Sequence, residues 1–524
     1  MSTSDTCGYP CARIRSMWDR VAMRGLPVVA PGEPIYEHLR SLLDASGRLV
    51  EVVDLPDDER DPTKIHWAPG TRDGVPGRHG AASEQTARVV EVARLLSEAC
   101  REPSEERLRA LYAAVVEDDV VSYVDTLIEL LPDGGAPAMS VHEIGWWLAT
   151  TAPDRGPVKL GIALLGATMD VVEDFPREVV RVLGAHDEFT LYAAVVLAQL
   201  GERELWELAK IVDGWGRIAC VERLEDTADP EIRDWILRSG FRNSIMDEYL
   251  AYIGATTGGL LAALRAPDID RDLLTAAGDI LRSLAQGGPA EDMSHYEEAA
   301  EALAAYLALV EHQGEEVTDF LAVRDIQRYL KRADTEMAGK EAFIATCERV
   351  LAPDRWRDRV AVAVAGQERV WHAVQVAAKI GVDVAETVFG QLERDPSSLS
   401  WWYEAWEQVD AASVPRLVDL ARTALPLAEI TTGPADELGI GPLYRAHSAL
   451  ELAVRGVRDH PGLGADLVSA ALRSPLVRNR RAALETLEAW PRDAWSTEHV
   501  AGVAELAGID PDHDTRARAR ALVT

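Results

Sequence analysis

The residues of this chain that could do chemistry are few, and the densest group runs from His66 to Gly80. His66 and His79 can change charge near neutral pH, and Arg72 and Arg78 carry forked donors suited to a carboxylate or phosphate. Asp73 adds one carboxylate and Trp67 a rigid apolar plate. Pro69, Gly70, Gly74, Pro76, Gly77 and Gly80 set the shape of the stretch and let another backbone come close. His66, Trp67, Arg72, Asp73, Arg78 and His79 thus read as a recognition loop for a ligand or partner. The competing reading is a structural cap whose charges pair locally. A second group is Trp401-Trp402-Tyr403-Glu404-Ala405-Trp406, in a chain whose 14 Trp outnumber its 12 Tyr and 6 Phe. On a helix Trp402 and Trp406 share a face and Trp401 points elsewhere. Core packing accounts for one face, and an exposed Trp is a binding hot spot, so Trp401, Trp402 and Trp406 are binding candidates.

Other motifs fall short of the chemistry they suggest. Val141-His142-Glu143-Ile144-Gly145-Trp146 opens like a zinc-protease helix, but Trp146 stands where the second His is required. Cys7 and Cys11 could supply two thiolates, with His66 and His79 as distant partners, yet the spacing is not that of a zinc knuckle. Gly254-Ala255-Thr256-Thr257-Gly258-Gly259 follows no strand and precedes no Lys-Ser/Thr, so it reads as a helix–helix turn rather than a phosphate cradle. Arg478, Arg480, Arg481, Arg516, Arg518 and Arg520 make a local basic cluster. It could meet a phosphate, and the plainer expectation is pairing with acids of the neighbouring repeat, Glu485 and Glu488 among them. No catalytic residue, metal-ligand set or cofactor is expected.

The chain carries 54 basic and 87 acidic residues, a formal charge of -33. That field repels nucleic acid and anionic membranes and favours a basic or neutral protein partner. Only six of the cations are Lys; with abundant Ala and Val this suggests a GC-rich bacterial genome. No uncharged apolar run approaches the roughly 18 residues of a membrane span. The first ten residues lack an apolar signal core, so a cytoplasmic location is expected. Cys100, Cys220 and Cys347 stand alone inside helical patterns, where a buried thiol acts as a small apolar group.

The elements that must position these groups are helices. Val158 to Val172 is apolar almost all round and reads as a buried helix; Glu178 to Leu183, Phe189 to Leu200, Glu204 to Val212 and Trp215 to Leu224 follow on short turns. Asp229-Pro230 is a cap followed by a proline at the first helical position, with Gly240 placed for a left-handed exit. Ile245, Met246, Tyr249, Leu250 and Ile253 form the stripe of a helix from Ser244 to Ile253. Ser104 should cap a helix from Glu105 to Glu117. Residues 1–82 differ: rich in Pro and Gly, with one helix from Ile35 to Ser46 and one strand candidate, Leu49 to Val53. They read as an irregular N-terminal cap, with helical repeats over 83–288 and 289–524 meeting near the break at Ala285 to Ser294.

Arg478 to Leu484 matches Arg516 to Leu522, 38 residues on, and Tyr444 to Leu450 lies 34 before it. Periods of this size suit two-helix units. The units resemble HEAT-like repeats, each with a capping acid or Ser beside Pro, then Arg in the first helical turns. The resemblance implies an all-α chain, an α-solenoid of HEAT-like helical hairpins, acting as a scaffold that binds a protein through its concave face or N-terminal loop. Gly32 to Tyr36, the stretch from Val53-Asp54-Leu55-Pro56 through His66-Trp67-Ala68-Pro69-Gly70, and Asn243 to Tyr252 resemble bacterial proteins carried under the name limonene hydroxylase. That resemblance implies an NAD(P)H-dependent monoterpene hydroxylase, although the chain has no dinucleotide fingerprint, haem-ligand Cys motif or evident flavin or di-iron ligand set.

Overall fold

The computed structural model describes residues 30–50, 53–58, 67–74, 86–116, 119–131, 135–366, 369–408, 410–437, 439 and 444–523. Among these the chain is all-α: two isolated bridges, Leu43 with Leu49 and Glu437 with Leu476, are its only β pairings, and no strand forms. The strand expected from Leu49 is therefore a single bridge over the described part of that stretch. The described residues form two compact units, one within 30–58, 67–312 and 322–346, the other within 313–321 and 347–523.

The first unit opens with α1 (Ile35–Leu42) and a helical turn, α2 (Thr71–Gly74). Next come α3 (Thr86–Arg101), α4 (Glu105–Val115), α5 (Val124–Leu130), α6 (Ala138–Thr151), α7 (Arg155–Ala167) and α8 (Arg177–Gly184). α9 (Asp187–Leu200), α10 (Glu202–Ile211), α11 (Gly214–Glu222), α12 (Pro230–Trp235), α13 (Ala251–Thr256), α14 (Leu260–Leu264), α15 (Arg271–Gln286) and α16 (Ala299–Gln313) continue it. The core helix α7 is flanked by α6 and α9, and α9 in turn carries α8, α10 and α11. α1 packs on α6 and α8, and the α2 turn on α9 and α11. The N-terminal segment thus runs along successive helix ends: the Ile35 amide donates to Ala152, Arg48 to the Lys210 carbonyl, and His186 bonds the Val53 carbonyl.

Local signals that are complete within a few residues appear as expected. The Arg107 amide donates to the Ser104 hydroxyl at 3.3 Å, and the Glu231 amide to Asp229 at 3.0 Å with Pro230 in the first turn. Two expectations fail for identifiable reasons. Ser244 to Ile253 is not one helix. The Asn243 side chain accepts from the amides of Ile245 and Met246, and Asp247 accepts from the Asn243 amide, so side chains capture backbone donors that a helix would need. The chain makes a 3-10 turn over Asp247–Tyr249 before α13, and Ile245 and Met246 face outward. Gly240 is not a left-handed exit either. α12 widens into a π turn over Ile236–Gly240, and glycine is needed because the Trp235 ring lies 2.7 Å from where a Cβ would stand.

α17 (Val317–Leu330) and α18 (Lys340–Val350) each contribute residues to both units. The second unit continues with α19 (Pro353–Ala365), α20 (Val370–Ile380), α21 (Ala385–Arg394), α22 (Leu399–Gln408), α23 (Val414–Ala424) and α24 (Arg445–Gly456). α25 (Ala465–Leu472), α26 (Val477–Ala489), α27 (Thr497–Ile509) and α28 (His513–Val523) complete it. From α21 onward each helix packs on the next but one: α21, α23, α25 and α27 make one row, and α22, α24, α26 and α28 another.

Side chains bind the rows across roughly constant sequence distances. Arg455 bridges to Glu485, Thr486 donates to the Val454 carbonyl, Trp490 to Val457, and His499 meets the Ala465 carbonyl. Arg480 is the central tie. Fully buried, it holds Asp510 through two bonds of 2.7 and 2.9 Å and gives its remaining fork to the carbonyls of Ser474 and Pro475. Removing the cation alone would strand a buried carboxylate. Arg480→Met should lower unfolding free energy by about 3–5 kcal/mol, with most of that loss recovered when Asp510→Leu is added. Urea denaturation of the single and double variants measures both; equal losses in the two would contradict the pairing.

Candidate functional site

Of the residues singled out between 66 and 79, the structure describes Trp67, Arg72 and Asp73; His66, Arg78 and His79 lie outside the described residues. The three separate in role. Trp67 is 54% exposed and Arg72 is exposed, whereas Asp73 is buried at 4%. The turn that carries Asp73 is seated in the first unit by main-chain fit as well as by charge. Gly70 has a φ of 74° and rests on α9, where a Cβ would stand 2.7 Å from the Asp187 carbonyl oxygen, so glycine is required on both counts. Its amide donates to Glu188 at 3.0 Å. The Trp215 indole donates to the Thr71 hydroxyl at 3.1 Å.

At the centre of this seat is Lys159, which α7 projects from an otherwise apolar run. Its ammonium lies 2.8 Å from Asp73 and 2.6 Å from Glu188, and all three side chains are at most 7% exposed. It also stands 5.8 Å from the centre of the Tyr192 ring. One turn earlier Arg155 holds Asp57 at 2.9 Å and bonds Asp58. The Arg155 amide also donates to Asp57, which therefore caps α7 from the N-terminal segment, while the adjacent Asp154 is engaged by the Tyr112 hydroxyl. Two cations one helical turn apart on α7 thus receive three acids, Asp57, Asp58 and Asp73, from the N-terminal segment and one, Glu188, from α9.

The electrostatics follow from burial and these contacts. Burial raises the Asp73 carboxyl above its ordinary range, and Lys159 offsets only part of that. Burial would raise Glu188 too, but Lys159 and Arg155 outweigh it and hold Glu188 low. Burial opposes the Lys159 charge, and the two carboxylates more than restore it. Beside this cluster, burial and then the Asp213 charge push Asp187 up to about 7. Burial holds neutral His186 below its usual value; its Nε2 bonds the Val53 carbonyl and its Nδ1 accepts the Glu188 amide. Lys159, bonded on both sides, is a joint rather than a nucleophile.

The other Trp and Arg candidates lie in the second unit, and His142, Cys100 and Cys220 in the first. Trp402 is fully buried and donates to the Pro396 carbonyl at 2.8 Å. Trp401 meets Trp371 edge-on at 5.1 Å between ring centres, and Trp406 lies against Gly456. Tyr403, which was not singled out, is the exposed aromatic of that helix at 62%. The arginine cluster is bound up internally: Arg518 with Glu485 and Glu488, Arg481 with Asp512, and Arg478 with the Ser448 hydroxyl. His142 is buried with its Nδ1 3.1 Å from the Thr168 hydroxyl, and burial pushes the Cys100 and Cys220 thiols up to about 12. No group of three or more His, Cys, Asp or Glu able to hold a metal occurs among the described residues.

Sequence reasoning singled out Asp73 as part of a recognition loop, and did not single out Lys159, Arg155, Glu188 or Asp187; the structure instead buries Asp73 against Lys159. The one signal available was a lone Lys, one of only six in the chain, inside the apolar run that follows Val158. Comparisons with protein-family models, with curated proteins and with solved structures return no match.

Lys159→Met would leave Asp73 buried without its cation and Glu188 with only the more distant Arg155. The expected cost is about 3–5 kcal/mol near neutral pH. The cost should shrink on acidification, because raised carboxyls take up protons first. Thermal melts of the variant at pH 5 and pH 8 check this; a penalty that is the same at both would rule out the ionic account.

Proposed function

We propose that this chain is a non-enzymatic α-solenoid of HEAT-like helical hairpins that acts as a scaffold for a protein partner, with the irregular N-terminal segment as its cap. The observation that carries this reading is the pair of helix rows from α21 to α28, tied by side-chain bonds between residues about one hairpin apart, as Arg480–Asp510 and Arg455–Glu485 are. A stack of that kind buries its apolar surface between neighbours and leaves long faces free for binding.

The disposition of charge supports a binding role over a chemical one. The groups best placed to act as acid, base or nucleophile are bonded to one another, Lys159 to Asp73 and Glu188, Arg480 to Asp510. Trp67 and Arg72 are different: both are turned outward on the seated segment, an apolar plate near a forked cation. Such pairs are typical anchors of protein interfaces. The formal charge of -33 favours a basic or neutral partner.

The test is affinity capture from native extract with the intact protein and with Trp67→Ala/Arg72→Ala. A specific partner held by the first and lost by the second, at an unchanged melting temperature, is the expected result. Equal recovery by both, or stoichiometric flavin, haem or iron absorbance in the purified protein, would overturn the reading.

A further inference from the structure

The second unit closes turns between its helices with one recurring device. The fourth residue of a helix sends a side-chain donor back to the carbonyl six residues earlier: Trp356 of α19 to Val350 at 2.6 Å, Trp402 of α22 to Pro396 at 2.8 Å, and Arg480 of α26 to Ser474 at 2.9 Å. Arg516, fourth in α28, bonds the Asp510 carbonyl in the same way. It also reaches the Pro511 carbonyl at 3.4 Å, as Arg480 reaches that of Pro475 at 2.8 Å. Arg516 thus stands where Arg480 stands, 36 residues on rather than the 38 that the sequence match suggests.

The likeness stops halfway round the guanidinium. Arg480 turns its Nε and Nη2 to Asp510, in the turn ahead of α28. The Nε and Nη2 of Arg516 bond no described residue, and no described helix follows α28 to bring them an acid. The acids around the start of α28 are committed elsewhere: Asp510 to Arg480, and Asp512 and Asp514 to Arg481.

The surface beside Arg516 is built to receive a helix. His499 and Gly502 turn α27 towards α25, the first by its bond to the Ala465 carbonyl and the second by its closeness to Leu472. At about 100° per residue, the opposite side of α27 presents Val500, Ala501, Ala504 and Gly508. All four are exposed, none is charged, and Glu498 and Glu505 lie off to one flank. On α28, Thr515 and Arg518 face α26 through Arg481, Glu485 and Glu488. Its opposite side presents His513, Arg516, Ala517 and Arg520, with Arg520 also bonding the Ala507 carbonyl across to α27. An uncharged strip thus runs beside a cationic one, on a chain whose formal charge is -33.

We propose that this outer face of the α27–α28 pair is a docking surface for an acidic helix of a partner protein, which lays small apolar side chains on Val500, Ala501, Ala504 and Gly508 and sets a carboxylate on Arg516.

Two observations select that occupant. The face continues the row packing, in which the Arg480 guanidinium takes an acid from the next hairpin, so the geometry already realised inside the unit is the one on offer at its outer side. A planar fork held by two carbonyls on one edge is prepared for a carboxylate on the other. Charge excludes the nearest alternative: a second copy offering the same face would set Arg516 and Arg520 against their own kind. A nucleic-acid backbone would satisfy the arginines but leave the strip of α27 uncovered. The surface is separate from Trp67 and Arg72, so its failure would leave the reading of those residues intact.

The probe is a fluorescein-labelled helical peptide of Glu-Ala-Ala-Leu repeats opened by Asp-Pro, titrated by anisotropy against the full-length protein. It should bind, and its Gln-Ala-Ala-Leu counterpart should bind about tenfold more weakly, the worth of one charge-assisted pair. Arg516→Ala and Val500→Asp should each weaken the acidic peptide by about tenfold, and Trp67→Ala/Arg72→Ala should not weaken it. If Arg516→Ala does not fold, Ala517→Glu sets an acid on the same face without touching the carbonyl ties and should weaken binding likewise. The proposal is overturned if the acidic peptide does not bind, if the Gln peptide binds as well, or if the face variants bind like wild type. It is equally overturned if a single-stranded oligonucleotide binds this face more tightly than the peptide, or if sedimentation shows a dimer that Val500→Asp dissolves.

Discussion

A lysine ammonium withdrawn from water must find opposite charge, and the first unit is arranged around that requirement at Lys159. Stripping one such ion of its hydration costs several kcal/mol in a protein interior, more than a single imperfect contact returns. Two carboxylates at 2.6 and 2.8 Å meet the demand, and they come from different places: Glu188 from the first turn of α9 and Asp73 from a segment far earlier in the chain. The α7–α9 arrangement and the seating of residues 67–74 are thus coupled through one ammonium group. Glu188 in turn fixes Gly70 through its second oxygen, so the same carboxylate that neutralises the lysine also places the backbone of the turn.

The second unit solves a similar problem with a guanidinium. Arg480 is fully buried, yet it makes four hydrogen bonds: to both oxygens of Asp510 and to two main-chain carbonyls. The planar fork suits that geometry in a way an ammonium would not. The chain's preference for Arg over Lys, read from the sequence as a mark of base composition, thus also supplies the side chain best able to tie a helix to the one a hairpin away.

What could be read from the sequence was decided by how local the cause is. Ser104 and Asp229 cap helices because the amides they accept lie two or three residues away, inside the same signal. The helical class of the chain was legible for the same reason, through periodicity. At Ser244 to Ile253 an equally local competitor was present: Asn243 and Asp247 take the backbone donors, and the apolar stripe describes a turn whose Ile245 and Met246 face outward. The pairing of Arg518 with Glu485 and Glu488 could be anticipated because neighbouring repeats suggested it. The burial of Arg480 could not, because its partner Asp510 lies on the far side of an intervening helix. Asp73 is the sharpest case. Its neighbourhood marked it as unusual, but whether it faced outward, as Arg72 does, or inward depended on a lysine 86 positions later, which no reading of the stretch alone could supply.

There is a reason to hold such a segment with charge instead of grease. A leucine in place of Lys159 would pack against any smooth apolar face, and a one-residue slip of the 67–74 segment would cost it little. An ammonium fixed between Glu188 and Asp73 resists a slip: moving Asp73 by one position brings Arg72 or Gly74 to the lysine, which then loses one of its two carboxylates and, with Arg72, gains a like charge. The energy such an ion pair adds to folding is small or negative against an apolar substitute, but the energy by which it rejects the wrong register is large. For a Gly- and Pro-rich segment with little apolar surface to define its position, that rejection is what selects one seat among many.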